Sequence, residues 1–351
     1  MKNKAQKRDF PVDAALRGPG VWRSLREAFG GKRRLLDTMQ LEVTSHCFGR
    51  CAYCPHSTMA GQWKARHLRP QTLVRLWPLL LETRRVHLQG WGEPFLHPNF
   101  LELVRLVRRA DCLASTTTCG LIMNEGLAAD LVDSGLDIIA FSITGSTKAS
   151  NNAARAGLDF DAVLDSVRLL QDVRRRKSGV HLELHFAYLM LASAMDEVEE
   201  LPELMRDLGL HAAVVSTLDY LPEQGWAREA FAPEDAEKTA RAEKILQKAA
   251  ARAAAFGMSI HYALPRQKAA ADCLEHPARS VYVDAEGNLA PCIYSNLPIE
   301  QDAGQRHVFG SCHDQDPLTI RQGAAFNHFC RRLADGDPEE PCRNCPKRFA
   351  V

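Results

Sequence analysis

"CFGRCAYCPHS", residues 47–57, places three cysteines within eight positions at the spacing C-x3-C-x2-C, with Tyr53 just before the third. Cysteines clustered in this way in a chain without a secretory signal indicate a metal or cluster site rather than disulfides. A structural zinc ion needs four ligands, and His46 or His56 could supply the fourth. An iron–sulfur cube held by three thiolates would instead leave one iron open to an exchangeable ligand.

The composition excludes several classes of protein. The chain has 351 residues, of which 46% are hydrophobic and 25% charged, and its net charge is +1. This length suits one large domain and a smaller one, and the charge gives no basis for nucleic acid or an acidic membrane as the main partner. No apolar stretch approaches the about 18 residues that a membrane span needs, and residues 1–37 form a basic extension without a signal-like apolar core. We therefore expect a cytoplasmic protein.

Residues 38–220 alternate short β-like runs with stretches of helical periodicity. The strand candidates are residues 39–44, 85–90, 112–118, 136–143, 180–189 and 211–217. Six strands alternating with helices predict a parallel sheet with right-handed crossovers. The predicted fold class is α/β, with an open partial (β/α)6 barrel whose functional residues gather at the carboxyl ends of the strands.

The pattern changes after residue 220. Residues 221–265 are predicted to form a connector around a long Ala-rich helix at 232–257, with one further strand at 258–264. Residues 266–351 are predicted to form a small cysteine-rich domain with a β-hairpin at 279–294.

A second group of cysteines lies in this last region, and its members are Cys273, Cys292, Cys342 and Cys345. A hairpin that carries cysteines and is followed by a C-x2-C pair suits either a zinc ribbon or a second four-iron cluster. Cys312 and Cys330 lie between them and are interpreted as spare thiols, although either could replace a ligand.

The first cysteine loop resembles the C-x3-C-x-aromatic-C signature of the radical S-adenosylmethionine (radical SAM) superfamily. In that family the open iron binds the amino and carboxylate groups of SAM, and an electron from the cluster cleaves SAM to a 5′-deoxyadenosyl radical. The resemblance implies that Cys47, Cys51 and Cys54 hold a 4Fe–4S cluster. It also implies a low-potential electron donor such as flavodoxin or ferredoxin. Tyr53 either lies near the adenine or packs the loop.

Three further stretches extend the resemblance. "GWGEP" (90–94) is similar to the family's Gly-Gly-Glu-Pro motif, whose glycines let the backbone approach the SAM amino group; Trp91 departs from it. "TTTCG" (116–120) carries a cysteine where relatives often have asparagine. Ser142 and Arg155 resemble the serine and arginine that hold the SAM carboxylate, and the rival interpretation is a surface arginine that caps the next helix. The SAM-binding residues implied are Tyr53, Gly90, Gly92, Glu93, Ser142 and Arg155.

The later cysteines resemble the SPASM/twitch extension of radical SAM enzymes. The middle C-x2-C-x5-C-x3-C run of the full SPASM form is missing, so the resemblance implies the twitch form, with one auxiliary 4Fe–4S cluster held by the second cysteine group. Relatives set this cluster across the barrel mouth from the SAM cluster. There it could accept an electron from a substrate radical or only brace the domain.

Together these features predict a radical SAM oxidoreductase or maturase that abstracts hydrogen from a substrate C–H bond. Modification of a peptide or protein and oxidation of a small alcohol or aminocyclitol-like metabolite both fit. "GWGEP" followed by "FLHPNF" also resembles maturases of tungsten- or molybdenum-dependent enzymes. A zinc-binding structural protein is the main hypothesis outside the class, and the sequence does not identify a catalytic acid or base.

Overall fold

The structure, a computed structural model, describes residues 34–221, 224–266, 273–298 and 307–349. The basic segment predicted at residues 1–37 lies almost wholly outside the described residues. None of the helices in the described ranges has the length and apolar character needed to cross a membrane.

The strands and helices are named in chain order. The strands are β1 (Leu36–Leu41), β2 (Arg50–Cys51), β3 (Thr83–His87), β4 (Leu113–Thr118), β5 (Ile138–Ile143), β6 (Arg155–Ala156), β7 (Glu183–Leu189), β8 (Ala212–Ser216), β9 (Ser259–Tyr262), β10 (Ser280–Val283), β11 (Asn288–Ala290) and β12 (Gly310–Ser311). The α-helices are α1 (Pro55–Thr58), α2 (Pro70–Arg75), α3 (Trp77–Leu81), α4 (Phe100–Arg109), α5 (Glu125–Ser134), α6 (Lys148–Ala154), α7 (Phe160–Arg175), α8 (Leu201–Leu208), α9 (Ala236–Ala255), α10 (Pro317–Gln322) and α11 (Ala324–Ala334).

One large sheet forms the barrel wall, in the order β12-β11-β10-β1-β3-β4-β5-β7-β8-β9. Neighbouring strands from β10 through to β9 pair in parallel. The six predicted strands correspond to β1, β3, β4, β5, β7 and β8, and they lie in that order. The predicted α/β fold, a partial barrel followed by a small C-terminal domain, is therefore confirmed.

The C-terminal hairpin belongs to this same sheet. Strand β10 pairs in parallel with β1, from Thr38 opposite Ser280 to Leu41 opposite Val283, and β11 then pairs antiparallel with β10. Because β1 is the strand that leads into the cysteine loop, the small domain is fixed directly to the first barrel strand.

The segment predicted as a connector continues the barrel. Helix α9 packs against α8 and the 3-10 helix Ala192–Glu200, and β9 adds a parallel strand beside β8. The further strand expected at residues 258–264 is thus present. Residues 224–262 therefore add one more helix and one more parallel strand to the barrel.

The bounds of several elements differ from the prediction by a few residues. Strand β1 begins at Leu36 and ends at Leu41, earlier than the predicted 39–44. The stretch of helical periodicity at residues 71–82 forms two helices that meet at Leu76, because Pro78 in the first turn of α3 lacks the N–H that would continue α2. Helices α5 and α8 end at Gly135 and Gly209, which take the left-handed conformation that glycine adopts without strain.

The barrel wall separates a hydrophobic core from a polar interior. Successive side chains of a strand point to opposite faces. In β7, Leu184, Phe186 and Tyr188 are buried in the main core, whereas His185 and Ala187 line the barrel interior. Burial of each large apolar side chain contributes about 1.5–3 kcal/mol. The side chains on the outer face of the sheet therefore stabilise the fold, and those on the inner face are available to bind a ligand.

Candidate functional site

The cysteine loop after β1 lies against the segment that carries Arg155. Strand β2 pairs antiparallel with β6, with Cys51 directly opposite Arg155, and Ala52 donates its backbone N–H to the carbonyl of Ala154 at 3.0 Å. Two motifs far apart in the sequence therefore share one short ladder. This ladder places the cation next to the middle cysteine of the loop.

The three thiols of the loop share one environment. Burial raises the pKa of Cys47, and burial reinforced by the neighbouring Cys51 raises the pKa of Cys54 to about 12. The backbone N–H groups of Gly49 and His56 donate to the sulfurs of Cys47 and Cys54 and act in the opposite direction. Amide donors aimed at cysteine sulfur are a feature of iron–sulfur sites, where they stabilise the thiolate form.

The spacing of the ligand candidates bears on the zinc hypothesis. Within the described residues, no group of three His, Cys, Asp or Glu side chains is close enough to hold one metal ion. A tetrahedral zinc site requires such a group, with each sulfur about 2.3 Å from the ion. A cube does not require it, because each thiolate binds a different iron.

Glu93 joins the turn after β3 to the end of β4. Its Oε1 accepts from Thr118 Oγ1 at 2.7 Å and from the backbone N–H of Phe95 at 3.2 Å, and its Oε2 accepts from the backbone N–H of Cys119 at 2.7 Å. Burial raises the pKa of this carboxyl against the effect of these hydrogen bonds. The acidic residue of "GWGEP" thus connects two loops at the barrel end, and the thiol of Cys119 is buried there, as expected for a small hydrophobe.

Positions 90 and 92 need glycine because the backbone there lies too close to the segment that follows β1 to leave room for a side chain. A Cβ at Gly92 would lie 2.4 Å from the carbonyl oxygen of Thr44 and 2.5 Å from that of His46, and a Cβ at Gly90 would lie 2.2 Å from Glu42 Cγ. The family resemblance implies an approach of these glycines to the SAM amino group. In the structure their close contacts are with the chain itself, and they shape the base of the cysteine loop.

Arg155 is held at the carboxyl end of β5 by Ser142. Its Nη1 donates to the backbone carbonyl of Ser142 and its Nη2 to Ser142 Oγ at 2.8 Å. Only 2% of Arg155 is exposed, so the rival interpretation of a surface arginine capping the next helix is wrong. Its Nε is buried without a hydrogen-bond partner. A buried N–H without a partner is costly, and a guanidinium binds carboxylates well, so this residue fits an anionic ligand.

Tyr53 connects the cysteine loop to the loop after β5. Its hydroxyl lies 3.1 Å from Thr144 Oγ1, and its ring meets the edge of the Trp226 ring with the centroids 6.4 Å apart. Burial raises the pKa of Tyr53 well above its usual value, so the phenol stays protonated. These contacts are those of a side chain that packs the loop, and its approach to adenine stays a prediction.

Two carboxylates that sequence analysis missed organise the site, the buried Glu42 and the half-buried Glu197. Glu42 accepts from the backbone N–H of Trp91 at 3.0 Å and from that of Ala285 at 3.2 Å, and burial raises its pKa to about 7. It therefore joins the "GWGEP" turn to the C-terminal hairpin. The only feature of the sequence that could have indicated this role is the position of an acidic residue within the apolar run "LEV" (41–43).

Glu197 is the second of these carboxylates, and it shapes the loop between β5 and α6. Its Oε2 accepts from the backbone N–H groups of Ser146 and Thr147, at 2.8 and 3.1 Å, and from Ser150 Oγ at 2.7 Å. This loop directly follows the strand that carries Ser142. No pattern in the sequence links Glu197 to it.

The second cysteine group comes together at the C-terminal end of the chain. Burial, reinforced by Cys292 and Cys345, raises the pKa of Cys342 to about 12, and burial raises the pKa of Cys292 to about 11. Leu274 donates its backbone N–H to the carbonyl of Lys347 at 3.1 Å, which places the adjoining Cys273 beside the C-x2-C turn. All four predicted ligands therefore lie in one region.

Cys312 and Cys330 lie elsewhere. Cys312 is 2% exposed in the main hydrophobic core, where a Cβ added to Gly287 would lie 2.5 Å from its sulfur. Cys330 packs against the same core. Both positions are those expected of spare thiols.

A cavity of about 680 Å³ occupies the barrel interior. His87 lies in its wall with Nδ1 3.0 Å from Ser115 Oγ, and burial lowers the pKa of His87 to about 4, so the ring is neutral. Cys292 and Glu275 also line the cavity, which therefore extends from the barrel strands to the second cysteine group. Sequence analysis missed the cavity because the alternation of side chains along a strand does not show toward which face the sheet curves, and so does not show which side chains line the barrel interior. The hydrogen-bonding side chains that line it include Thr38, Gln40, His87, Ser115, Thr116, Thr117 and His185.

Comparison with known proteins extends these observations. The sequence model of the Radical SAM superfamily matches residues 41–205, and that of the SPASM iron–sulfur cluster-binding domain matches residues 273–346. A PqqA peptide cyclase of Gluconobacter oxydans is 28% identical over 327 residues, covering 88% of this chain and 82% of the relative. A tungsten-containing aldehyde ferredoxin oxidoreductase cofactor-modifying protein of Pyrococcus furiosus is 26% identical over 202 residues, 53% of each chain.

A solved structure shares the fold. It is Streptococcus suis SuiB bound to precursor peptide SuiA, with a TM-score of 0.64 and 11% sequence identity, covering 99% of this chain and 78% of that one. The two matched sequence models each contain one of the two cysteine groups.

Proposed function

This chain belongs to the radical SAM superfamily and carries a SPASM iron–sulfur domain, and from that premise we propose that it modifies a peptide by abstracting hydrogen from a C–H bond. Its cofactors are 4Fe–4S clusters and SAM, which together supply a 5′-deoxyadenosyl radical when bound. One observation carries the proposal. The cysteine loop, the "GWGEP" turn, Ser142 and Arg155 all meet at the carboxyl ends of the barrel strands.

We assign the first cluster to Cys47, Cys51 and Cys54, and the carboxylate of SAM to Arg155. Support for this assignment comes from the register of Cys51 opposite Arg155 and from the buried Nε that lacks a partner. Ser142 orients the guanidinium through two hydrogen bonds and leaves Nε for the ligand. Glu93 and Glu42 hold the surrounding loops in place and are not assigned a contact with SAM.

Arg155→Ala should weaken SAM binding roughly 10- to 150-fold, because loss of one charged hydrogen-bond partner costs about 1.5–3 kcal/mol. Arg155→Lys keeps the charge but loses the planar fork, so it should recover part of the affinity. Titration calorimetry on anaerobically reconstituted protein measures both. Arg50→Ala, an exposed neighbour on the same ladder, is the matched control and should bind normally. Normal SAM affinity in Arg155→Ala would place the carboxylate contact elsewhere.

We assign the second cluster to Cys273, Cys292, Cys342 and Cys345. Four protein ligands leave no iron open for substrate, so electron transfer is the role that suits it. We propose that it accepts one electron from the substrate radical, which makes the overall reaction an oxidation. A low-potential donor such as flavodoxin or ferredoxin would reduce the first cluster. We place the reaction in the cytoplasm, where cysteine ligands are kept reduced.

A peptide substrate is supported by two relatives and by the cavity. One relative is named a PqqA peptide cyclase, and SuiB was solved with a precursor peptide. The cavity, at about 680 Å³, lies in the range of small-molecule sites and so accommodates a side chain or two of an extended chain. Its wall offers Gln40, His87 and Thr117 as hydrogen-bonding partners.

The test uses precursor peptides encoded beside the gene, synthesised with deuterium at individual residues. Peptide should stimulate formation of 5′-deoxyadenosine, deuterium from one residue should appear in it, and the product peptide should have lost two hydrogens. Mass spectrometry follows all three. Stimulation by a small alcohol or aminocyclitol and by none of the peptides would contradict the proposed substrate class.

A further inference from the structure

A buried cation lies where the barrel meets the second cysteine group. Lys347 Nζ is 2.7 Å from Glu275 Oε1 and 3.1 Å from Asp219 Oδ2. It also lies 5.6 Å from the centroid of the Tyr294 ring. The side chains of Lys347 and Asp219 are only 16% and 13% exposed.

The partners of this cation are tied to the cysteines by their positions in the chain. Glu275, Tyr294 and Lys347 each lie two residues after a cysteine of the second group, and those cysteines are Cys273, Cys292 and Cys345. Asp219 comes instead from the barrel, in the segment after β8. The backbone N–H of Lys347 also donates to the sulfur of Cys345. The cation is thus fixed against the proposed cluster site from both domains.

Burial of these charges needs an explanation other than stability. Taking three ionised groups out of water costs several kcal/mol each, and their mutual attraction often does no more than offset that. Most ion pairs in the described residues are on the surface, such as Lys248 with Glu199, which are 69% and 42% exposed. Water screens a charge of that kind, whereas a buried charge acts on its neighbours with little screening.

We propose that Lys347 raises the reduction potential of the cluster held by the second cysteine group above the value that the site would have without this cation, and that Glu275 and Asp219, which fix the lysine there, act in the opposite direction. This inference rests on the proposed function, because it presupposes that cluster. A positive charge beside a group that gains an electron stabilises the reduced form. In the proposed reaction the substrate radical gives one electron to the oxidised cluster and one proton to a base, which leaves a closed-shell product.

The test is a redox titration followed by electron paramagnetic resonance on the full-length, anaerobically reconstituted protein. Lys347→Met should lower the equilibrium constant for one-electron reduction of the second cluster about tenfold, or about 59 mV. Glu275→Gln should shift it in the opposite direction, because it removes a negative charge and preserves the shape. A variant in which Cys47, Cys51 and Cys54 are Ala separates the second signal from the first.

Opposite shifts in the two variants are the signature of a charge effect, since a loosened domain does not produce them. Lys347→Arg should retain the wild-type potential, and Lys248→Met is the control that should change nothing. Loss of thermal stability in Lys347→Met with an unchanged potential would overturn the inference, as would shifts of the same sign in both variants. A wild type with about four irons and no second signal would instead show that the assignment of the second cluster is wrong, and with it the inference.

Discussion

Replacing Cys47, Cys51 and Cys54 together with Ala should abolish reductive cleavage of SAM and reduce bound iron from about eight to about four atoms per chain. The loop would retain its fold through the ladder of β2 with β6. It would lose every thiolate that holds the first cluster, while the second cysteine group keeps its own four. Iron and sulfide analysis and chromatography of 5′-deoxyadenosine measure the two effects.

The matched control for this variant is Cys330→Ala, because Cys330 packs against the hydrophobic core and belongs to neither of the two assigned ligand sets. Its iron content and SAM cleavage should equal those of the wild type. Formation of 5′-deoxyadenosine by the triple variant under a strong reductant would contradict the assignment of the radical cluster to this loop.

Replacing Cys342 and Cys345 with Ala should lower iron from about eight to about four atoms and prevent formation of oxidised product, with SAM cleavage retained. The first cluster has its own loop, so the radical should still form. The substrate radical would then lack an electron acceptor. Both 5′-deoxyadenosine and modified peptide are measured in the same reaction, and the amount of modified peptide per 5′-deoxyadenosine should fall close to zero.

Two outcomes would change the account of the second cysteine group. A folded double variant that still makes product at the wild-type ratio would assign this cluster to bracing the domain. A wild type that binds about four irons and one zinc would remove the electron acceptor. A redox-neutral rearrangement or epimerisation would then fit better than an oxidation.

Sequence was informative where the chemistry is local. The spacing from Cys47 to Cys54 needs no tertiary structure to be recognised, and the alternation of strands and helices predicted six of the barrel strands in their correct order. The same reasoning placed Ser142 at the end of β5, where it meets Arg155. Short motifs and periodicity are sufficient for features of this kind.

Contacts between distant segments could not be predicted. Nothing in residues 279–294 indicates that β10 pairs in parallel with β1, because parallel register depends on the whole sheet. The explanation of Gly90 and Gly92 depends on that same neighbourhood, since their tight contacts are with the chain after β1. The sequence "PKRFAV" likewise suggests that Lys347 is a surface residue, and only the structure shows that it pairs with Asp219 and Glu275.

The measurement that tests the central claim most directly is the yield of 5′-deoxyadenosine when anaerobically reconstituted wild-type protein is mixed with SAM and a low-potential reductant. The account predicts that SAM is consumed and that 5′-deoxyadenosine and methionine appear in equal amounts. Both products should form only when the reductant is present. Intact SAM after incubation with protein that carries its full iron content would contradict it.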